Sequence, residues 1–298
     1  MNPQGTSGTN EYSASSFSWL GKGQFRTTIL TLVALLAVFV IIFPFFWIVL
    51  CSFKDPEQFL SLGLKESLPN TFNINSYKLA LERANLSVWM LNSLIVACAT
   101  TLLSLLVSTP AAFALARIRF RKKLFVLVLL ISYAIPSILI VVPLFVLLAA
   151  LNLSNSYFGL ILVHATLTIP FSTWVLQDFY HSIPPDLEEA AHMDGANLYQ
   201  VLRYVILPLS IPGVLAAGVY SFILSWNDFL FALVIMNDAE MFTAPVGIHA
   251  YFTGRNIVES VWAQLMAATT IVSLPSVILF GFFQRFLMSG FLSGAVKG

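Results

Sequence analysis

The chain alternates long apolar runs with short polar segments, and this pattern predicts a bundle of membrane-spanning helices. A helix needs about 20 mainly apolar residues to cross the hydrocarbon core of a bilayer. Six runs come near that length, at residues 29–51, 89–115, 124–151, 158–176, 213–236 and 262–286. We see no internal repeat and no separate soluble domain between them. The pattern therefore predicts an all-α membrane protein with six transmembrane helices.

The N-terminal segment differs from the rest of the chain. Residues 1–24 are polar and rich in Ser, Thr, Asn and Gly, a composition typical of a disordered tail. The apolar run that follows is too long for a signal-peptide core and has no small-residue cleavage site. We expect a disordered cytoplasmic tail at 1–24 and a single six-span domain at 25–298.

Basic residues set the expected orientation. Residues 117–123 carry five Arg or Lys side chains and no acid, which indicates a cytoplasmic turn. With six spans, both termini and the segment 184–212 then also lie in the cytoplasm. Ten of the 15 Lys and Arg residues fall on the inner segments in this arrangement. We assign the basic run a topological role only, and no role in substrate binding.

The sequence of segment 184–212 predicts an ordered structure rather than a flexible connector. Pro184 and Pro185 can open a helix, since proline in the first turn loses no needed N–H. Asp186 is predicted as its N-cap, with Glu189 three residues later as in a capping box. Gly195 can close this helix in a left-handed conformation.

A second amphipathic helix is predicted at 198–205, ended by Pro208 and Pro212. The expected element is thus two short helices outside the bilayer, joined by a bend at Gly195. Such an element suits docking against another protein, although an ordinary interfacial loop is the alternative.

Composition excludes several classes of function. The chain is 58% hydrophobic and 10% charged, with a net charge of +1 that gives no indication of a nucleic-acid partner. Its two cysteines lie in or beside apolar runs, and its four histidines are too scattered for a metal site. It contains no phosphate-binding loop and no nucleophile motif. We expect no catalytic residue, no metal and no cofactor on this chain, so any ATP-driven motor must be another subunit.

Asp228 is the most informative residue inside a predicted span. An acid near mid-bilayer costs roughly 2.5–3.5 kcal/mol on insertion scales, so it should face the bundle or water. With Asn227 it could line a path and accept hydrogen bonds from sugar hydroxyls, with Trp226 offering a stacking face. It could instead couple an ion, or simply bond a neighbouring helix. Asn92 is a weaker candidate of the same kind, for which helix–helix bonding is the favoured interpretation.

Three motifs follow one another inside the segment 184–212. They are Glu189-Ala190-Ala191, Asp194-Gly195-Ala196 and Ile206-Leu207-Pro208. Their order resembles the EAA loop of carbohydrate-uptake ABC importer permeases, and more specifically the MalG-like subunit of the maltose-type class. The sequence Trp226-Asn227-Asp228 is similar to a fifth-span motif of that class, and residues 284–298 are similar to its C-terminus.

The resemblance implies the type I ABC importer permease fold, with 184–212 as a cytoplasmic coupling loop. It implies ATPase coupling by Glu189, Ala190, Ala191, Asp194 and Gly195. The C-terminal residues that it places near the ATPase pair are Ala295, Val296 and Lys297.

The expected partners also follow from this resemblance. They are a second, MalF-like permease, two ATPase subunits that hold ATP-Mg, an extracytoplasmic solute-binding protein, a sugar substrate and membrane lipid. The expected location is a bacterial or archaeal cytoplasmic membrane.

Two other functions are considered beside the importer subunit. One is a stand-alone secondary transporter that uses Asp228 as an ion-coupling acid, which the lack of repeats disfavours. The other is a membrane-embedded hydrolase, for which no catalytic set is present. Disaccharides, oligosaccharides, polyols and glycosylated osmolytes all fit as substrates.

Overall fold

The regular elements of the described chain are all helical. The computed structural model describes residues 17–55, 69, 71–83, 85–117, 127, 131, 135–253 and 259–295. The helices are α1 (Phe17–Ser52), α2 (Asn75–Arg83), α3 (Leu86–Arg117), α4 (Ser137–Ala150), α5 (Tyr157–Ser182), α6 (Asp186–Met193), α7 (Leu198–Leu209), α8 (Ile211–Trp226), α9 (Leu230–Ile235), α10 (Ala244–Thr253) and α11 (Glu259–Ala295). The predicted all-α class is confirmed. Residues 1–16 of the predicted tail lie outside the described residues, whereas residues 17–24, which the prediction also assigned to the disordered tail, belong to α1.

Within the described residues, four helices are long and apolar enough to cross a membrane: α1, α3, α5 and α11. A fifth crossing is added if α7 and α8, which meet at 81°, are taken as one bent span. The predicted third span is represented by α4, which has 14 residues, and most of 124–136 lies outside the described ranges. The count of six spans stays a prediction.

The core of the bundle is formed by α3, α5 and α8, which pack against one another more extensively than any other helices. Small polar side chains lie at their contacts. Ser104 and Thr168 share a hydrogen bond of 2.5 Å, and Ser172 and Ser221 share one of 3.0 Å. Small residues allow close helix approach, and their hydroxyls bond across the interface. These contacts fix the helices that carry the sites described below.

The predicted fifth span is not one continuous helix. Helix α8 ends at Trp226, and α9 begins only at Leu230. The carboxylate of Asp228 accepts a hydrogen bond from the backbone N–H of Ala232 at 3.0 Å, as a capping side chain does at a helix start. The prediction of an unbroken helix over 213–236 was therefore wrong. The polar pair Asn227 and Asp228 interrupts the helix, and Asp228, one residue before the N-cap position Phe229, accepts a bond from the first turn of α9.

The segment between α9 and α10 is held against the start of α3. The indole N–H of Trp89 donates to the carbonyl of Ala239 at 2.9 Å. The Nδ2 of Asn92 donates to the carbonyls of Glu240 and Phe242, at 2.7 and 2.9 Å. Asn92 is buried, and both of its amide hydrogens are used in this way. The favoured interpretation of Asn92, a helix–helix hydrogen bond, was wrong in its partner, because both carbonyls belong to the non-helical segment between α9 and α10.

Helix α1 stands apart from the core. Its apolar side chains are exposed around the whole helix between residues 29 and 46, and its main neighbour is α11. In the described chain its most hydrophobic window has no buried residue, whereas half of the corresponding window of α5 is buried. The surface of α1 is therefore available for contact with lipid or with another protein.

Candidate functional site

The predicted coupling loop consists of α6, a bend and α7. Helix α6 begins at Asp186, with Pro185 at the N-cap position and no side-chain cap. The predicted N-cap at Asp186 and its capping box with Glu189 were therefore wrong by one residue. Asp186 lies in the first turn instead, where acidic side chains interact favourably with the helix dipole.

The bend at Gly195 is confirmed. Gly195 has a φ of +86°, in the left-handed region that favours glycine. Its N–H donates to the carbonyl of His192 at 3.0 Å, and the N–H of Ala196 donates to that of Ala191 at 2.9 Å. This pair of bonds is the Schellman motif, which satisfies carbonyls at the end of α6.

A capping box is present at the start of α7, where sequence reasoning missed it. The side chain of Asn197 accepts from the N–H of Gln200 at 2.9 Å, and the side chain of Gln200 accepts from the N–H of Asn197 at 2.8 Å. The N-x-x-Q spacing could have revealed it. The two helices of the loop are thus fixed on both sides of Gly195.

Helix α7 extends past its predicted end. It contains a π-helical turn at Leu202–Ile206 and continues to Leu209, so Pro208 does not terminate it. Pro208 lies in the first turn after the π-helical turn, where its missing N–H is tolerated. The chain then bends by 81° into α8, which has Pro212 in its first turn.

Two adjacent acids of α6 differ in burial. Glu188 is buried and forms an ion pair with Arg117, the last residue of α3. The Nε of Arg117 donates to Glu188 Oε1 at 2.5 Å, and its Nη2 donates to the carbonyl of Ile183 at 3.4 Å. Glu189 is exposed. Arg117 therefore joins the ends of α3 and α5 to α6, a structural role that the topological interpretation of the basic run had missed.

The predicted ATPase-coupling residues lie together on the outer side of this loop. Glu189, Ala190, Asp194 and Gly195 are exposed, and Ala191 is half-buried. Exposed apolar side chains surround them, including Met193 with 89% of its surface accessible. A helix with an inner, anchored face and an outer, partly apolar face is suited to docking against another protein.

A cavity of about 440 Å³ lies beside the break between α8 and α9. Its wall includes Asn227, Asp228, Tyr220 and Thr166. The Oδ2 of Asp228 lies 3.1 Å from Nε2 of His164, which is fully buried. The other ring nitrogen of His164, Nδ1, lies 2.8 Å from Ser225 Oγ. Sequence reasoning had set His164 aside as one of four scattered histidines, and no local signal pairs it with Asp228.

A second cavity of about 340 Å³ adjoins the first. Its lining includes Phe171, Trp174 and Asp178, and it shares Tyr220 and Leu224 with the first cavity. The rings of Phe171 and Tyr220 stack with centroids 3.9 Å apart. The two cavities therefore form one surface along α5 and α8, with an aromatic pair between them.

Trp226 does not line either cavity. It is 2% exposed, its indole N–H donates to the carbonyl of Val272 at 3.1 Å, and its ring stacks on Phe222. Its proposed stacking face for a sugar is therefore covered in this conformation. Asn227, by contrast, is exposed on the cavity wall.

The C-terminal candidates lie at or beyond the edge of the described chain. Helix α11 ends at Ala295, and Val296 and Lys297 lie outside the described residues. Among the residues that are described, no group of three His, Cys, Asp or Glu side chains could hold a metal ion. Cys51 and Cys98 are both free thiols.

The sequence profile of the family described as "binding-protein-dependent transport system inner membrane component" matches residues 105–291. The chain belongs to this family. The match includes residues 184–212, Asp228 and His164, so these features lie in the part of the chain that defines the family. The family membership confirms the resemblance to ABC importer permeases and gives no support to a stand-alone secondary transporter.

Relatives match this permease over most of its length. The trehalose/maltose transport system permease protein MalG of Thermococcus litoralis is 34% identical over 277 residues, 92% of this chain and 98% of its own. The sulfoquinovosyl glycerol transport system permease protein SmoH of Agrobacterium fabrum is 36% identical over 258 residues, 86% of this chain and 89% of its own. A chain of a bacterial ABC transporter for the acidic polysaccharide alginate covers 93% of this permease and 99% of itself, with a TM-score of 0.73 and 23% identity. That solved structure shows the importer fold.

Proposed function

We propose that this permease is a transmembrane subunit of an ATP-driven sugar importer. The observation that carries the proposal is its similarity, over 92% of the chain, to a trehalose/maltose permease. In this proposal the chain forms a translocation path with a second, MalF-like permease. It catalyses no reaction itself, and two cytoplasmic ATPase subunits bind ATP-Mg. A solute-binding protein delivers the sugar from outside.

The exposed side of the coupling loop is the proposed contact with an ATPase subunit. A coupling element has to transmit movement without bending. The Schellman motif at Gly195, the capping box at Asn197 and the ion pair of Glu188 with Arg117 all restrain the loop. The exposed coupling residues that lead from Glu189 to Gly195 are then free to bind the ATPase. The C-terminal residues 295–297 are proposed to approach the same subunits.

The cavity beside Asp228 is the proposed part of the path in this chain. Asn227 offers an amide and Asp228 a carboxylate at the break between α8 and α9. Broken helices expose polar groups only where they line a cavity or are buried in protein. Asn227 and Asp228 stay in the proposed path, whereas Asn92 and Trp226 are proposed to support it through the bundle contacts described above.

Purification of the tagged chain in mild detergent tests the proposal. We expect a second permease and an ATPase subunit to copurify, and the ATPase activity of the complex to rise when loaded solute-binding protein is added. Trehalose, maltose, sulfoquinovosyl glycerol and alginate oligosaccharides form the first panel of sugars. A chain that purifies alone, with no associated ATPase activity, would contradict the proposal.

A further inference from the structure

The walls of the two adjoining cavities carry negative charge. Asp228 lines the first and Asp178 the second. Among the described residues that line them, none is Lys or Arg. Both carboxylates lie on the surface formed by α5 and α8, which on the proposed function faces the path. Any substrate that passes along this surface therefore meets two acceptor groups and no Lys or Arg among the described lining residues.

The two carboxylate oxygens of Asp228 have different surroundings. Oδ2 of Asp228 accepts from the N–H of Ala232 and lies 3.1 Å from Nε2 of His164. Oδ1 has only a long contact of 3.5 Å with the N–H of Phe231. One oxygen is thus held by the protein, while the other retains most of its capacity to accept a hydrogen bond.

Contacts on the side of the ring away from Asp228 fix the orientation of His164. Its ring is fully buried, and Nδ1 lies 2.8 Å from Ser225 Oγ, which lies 3.5 Å from Thr100 Oγ1 on α3. The backbone carbonyl of His164 also accepts from Thr168 at 3.0 Å. Nδ1 is engaged by Ser225, while Nε2 lies 3.1 Å from the Asp228 carboxylate and makes no aligned hydrogen bond. The contact of Nε2 is directed to Asp228.

We propose that this cavity selects neutral sugars over anionic ones, with Asp228 as the selecting residue and His164 as its positioning residue. The proposal rests on the proposed function and narrows its substrate class. A sugar hydroxyl can donate to Oδ1, whereas a carboxylate or sulfonate group can only accept. Two acceptors of like charge repel, and the repulsion is stronger in the low dielectric of a membrane protein than in water.

The selection is tested by equilibrium binding to the purified complex without its solute-binding protein, so that the preference of that protein does not enter. Radiolabelled trehalose and maltose are compared with sulfoquinovosyl glycerol and an alginate trisaccharide. We expect a neutral sugar to bind at least about tenfold more tightly than either anionic one, the size of one charged hydrogen bond. Equal or tighter binding of an anionic sugar would overturn the proposal.

Two variants test the assigned residues. Asp228→Asn keeps the shape and removes the charge, so we expect the preference for the neutral sugar to fall about tenfold. His164→Leu removes the contact with Asp228 and should weaken neutral-sugar binding by a similar factor. His164→Gln retains a donor and should restore most of the affinity. A purely structural role of His164 would instead change assembly of the complex without changing the sugar preference.

The matched control is Asp55→Asn. Thr71 and Asn73 donate to Asp55, both at 2.5 Å, and hold the pKa of its carboxyl below the ordinary value. Asp55 lies outside both cavities, so the sugar preference should not change. The wild-type comparison needs no variant, so the proposal can be overturned even if a variant fails to assemble.

The result also separates this proposal from the proposed function. A complex whose ATPase responds to loaded solute-binding protein, but which binds none of the four sugars in this assay, overturns the selection by Asp228 and leaves the importer subunit in place. A chain with no partner subunits overturns both.

Discussion

Gly195 adopts a backbone conformation that forms the bend of the proposed coupling loop. Its φ of +86° is unfavourable for residues with a Cβ, and most of all for β-branched ones. An added Cβ would meet no atom within 4 Å. Any free-energy cost of a substitution at this position therefore comes from the backbone conformation and not from steric contact with neighbouring atoms. The choice of replacement can then separate backbone geometry from side-chain size.

We predict that Gly195→Val uncouples the importer while Gly195→Asn retains most of its function. Valine in the left-handed region costs about 1–2 kcal/mol or more, so the bend should shift, whereas asparagine adopts this region more readily. ATPase stimulation by loaded solute-binding protein should fall about tenfold in the valine variant. The amount of inserted chain, measured by immunoblot of membranes, should not change. Equal stimulation in both variants would contradict the role of the bend.

The sequence predicted some residues of the site and not others, for a physical reason. The left-handed glycine was predictable because its signal is local, a glycine after a helical pattern. The inward orientation of Glu188 was not, because it depends on Arg117, 71 residues earlier in the chain. The pairing of His164 with Asp228 spans a similar distance. Such contacts depend on how the helices pack in three dimensions, and the spacing of residues along the sequence does not reveal that packing.

At the scale of elements, the ion pair between Arg117 and Glu188 joins α3 to α6. Both side chains are mostly buried, with 20% and 11% of their surfaces accessible. Removing one partner of a buried pair leaves an uncompensated charge, at a cost of about 3–5 kcal/mol. We infer that the coupling helix moves together with the end of α3, and not as an independent hinge.

We predict that Arg117→Glu and Glu188→Arg each reduce copurification of the ATPase subunit, and that the double variant restores part of it. The swap re-forms the pair with reversed direction, while either single change places two like charges together. The control is Lys78→Glu, because Lys78 and Glu82 form an exposed pair at 3.9 Å, and such pairs contribute little. A double variant as impaired as the worse single one would count against a direct pair.

The helices themselves were the more predictable part of the fold. The runs at 29–51, 89–115, 158–176 and 262–286 all lie within helices of the structure, because burial in lipid demands a long apolar segment. The break at residues 227–229 was not predicted, because the hydrophobicity averaged over the whole run stays high despite two polar residues. The continuation of α7 past Pro208 was missed because the π-helical turn has no simple sequence signal.

At the scale of the whole molecule, we predict that the coupling loop and both termini face the cytoplasm. Ala239→Cys lies on the segment before α10 and should react with a membrane-impermeant maleimide added to intact cells. Met193→Cys, at a side chain that is 89% exposed on α6, should react only after permeabilisation, in cells that express the permease without its ATPase subunits. Both are made with Cys98→Ser to lower background labelling. The reverse pattern would invert the proposed topology.

The isolation of α1 bears on how the protein is made. Helix α1 precedes the others in synthesis, and its apolar surface does not depend on the core helices for cover. A helix of this kind can partition into lipid as soon as it emerges, before the segments that will contact it exist. We therefore expect the biogenesis of this subunit to begin with a freely inserted anchor, and the bundle to assemble beside it afterwards.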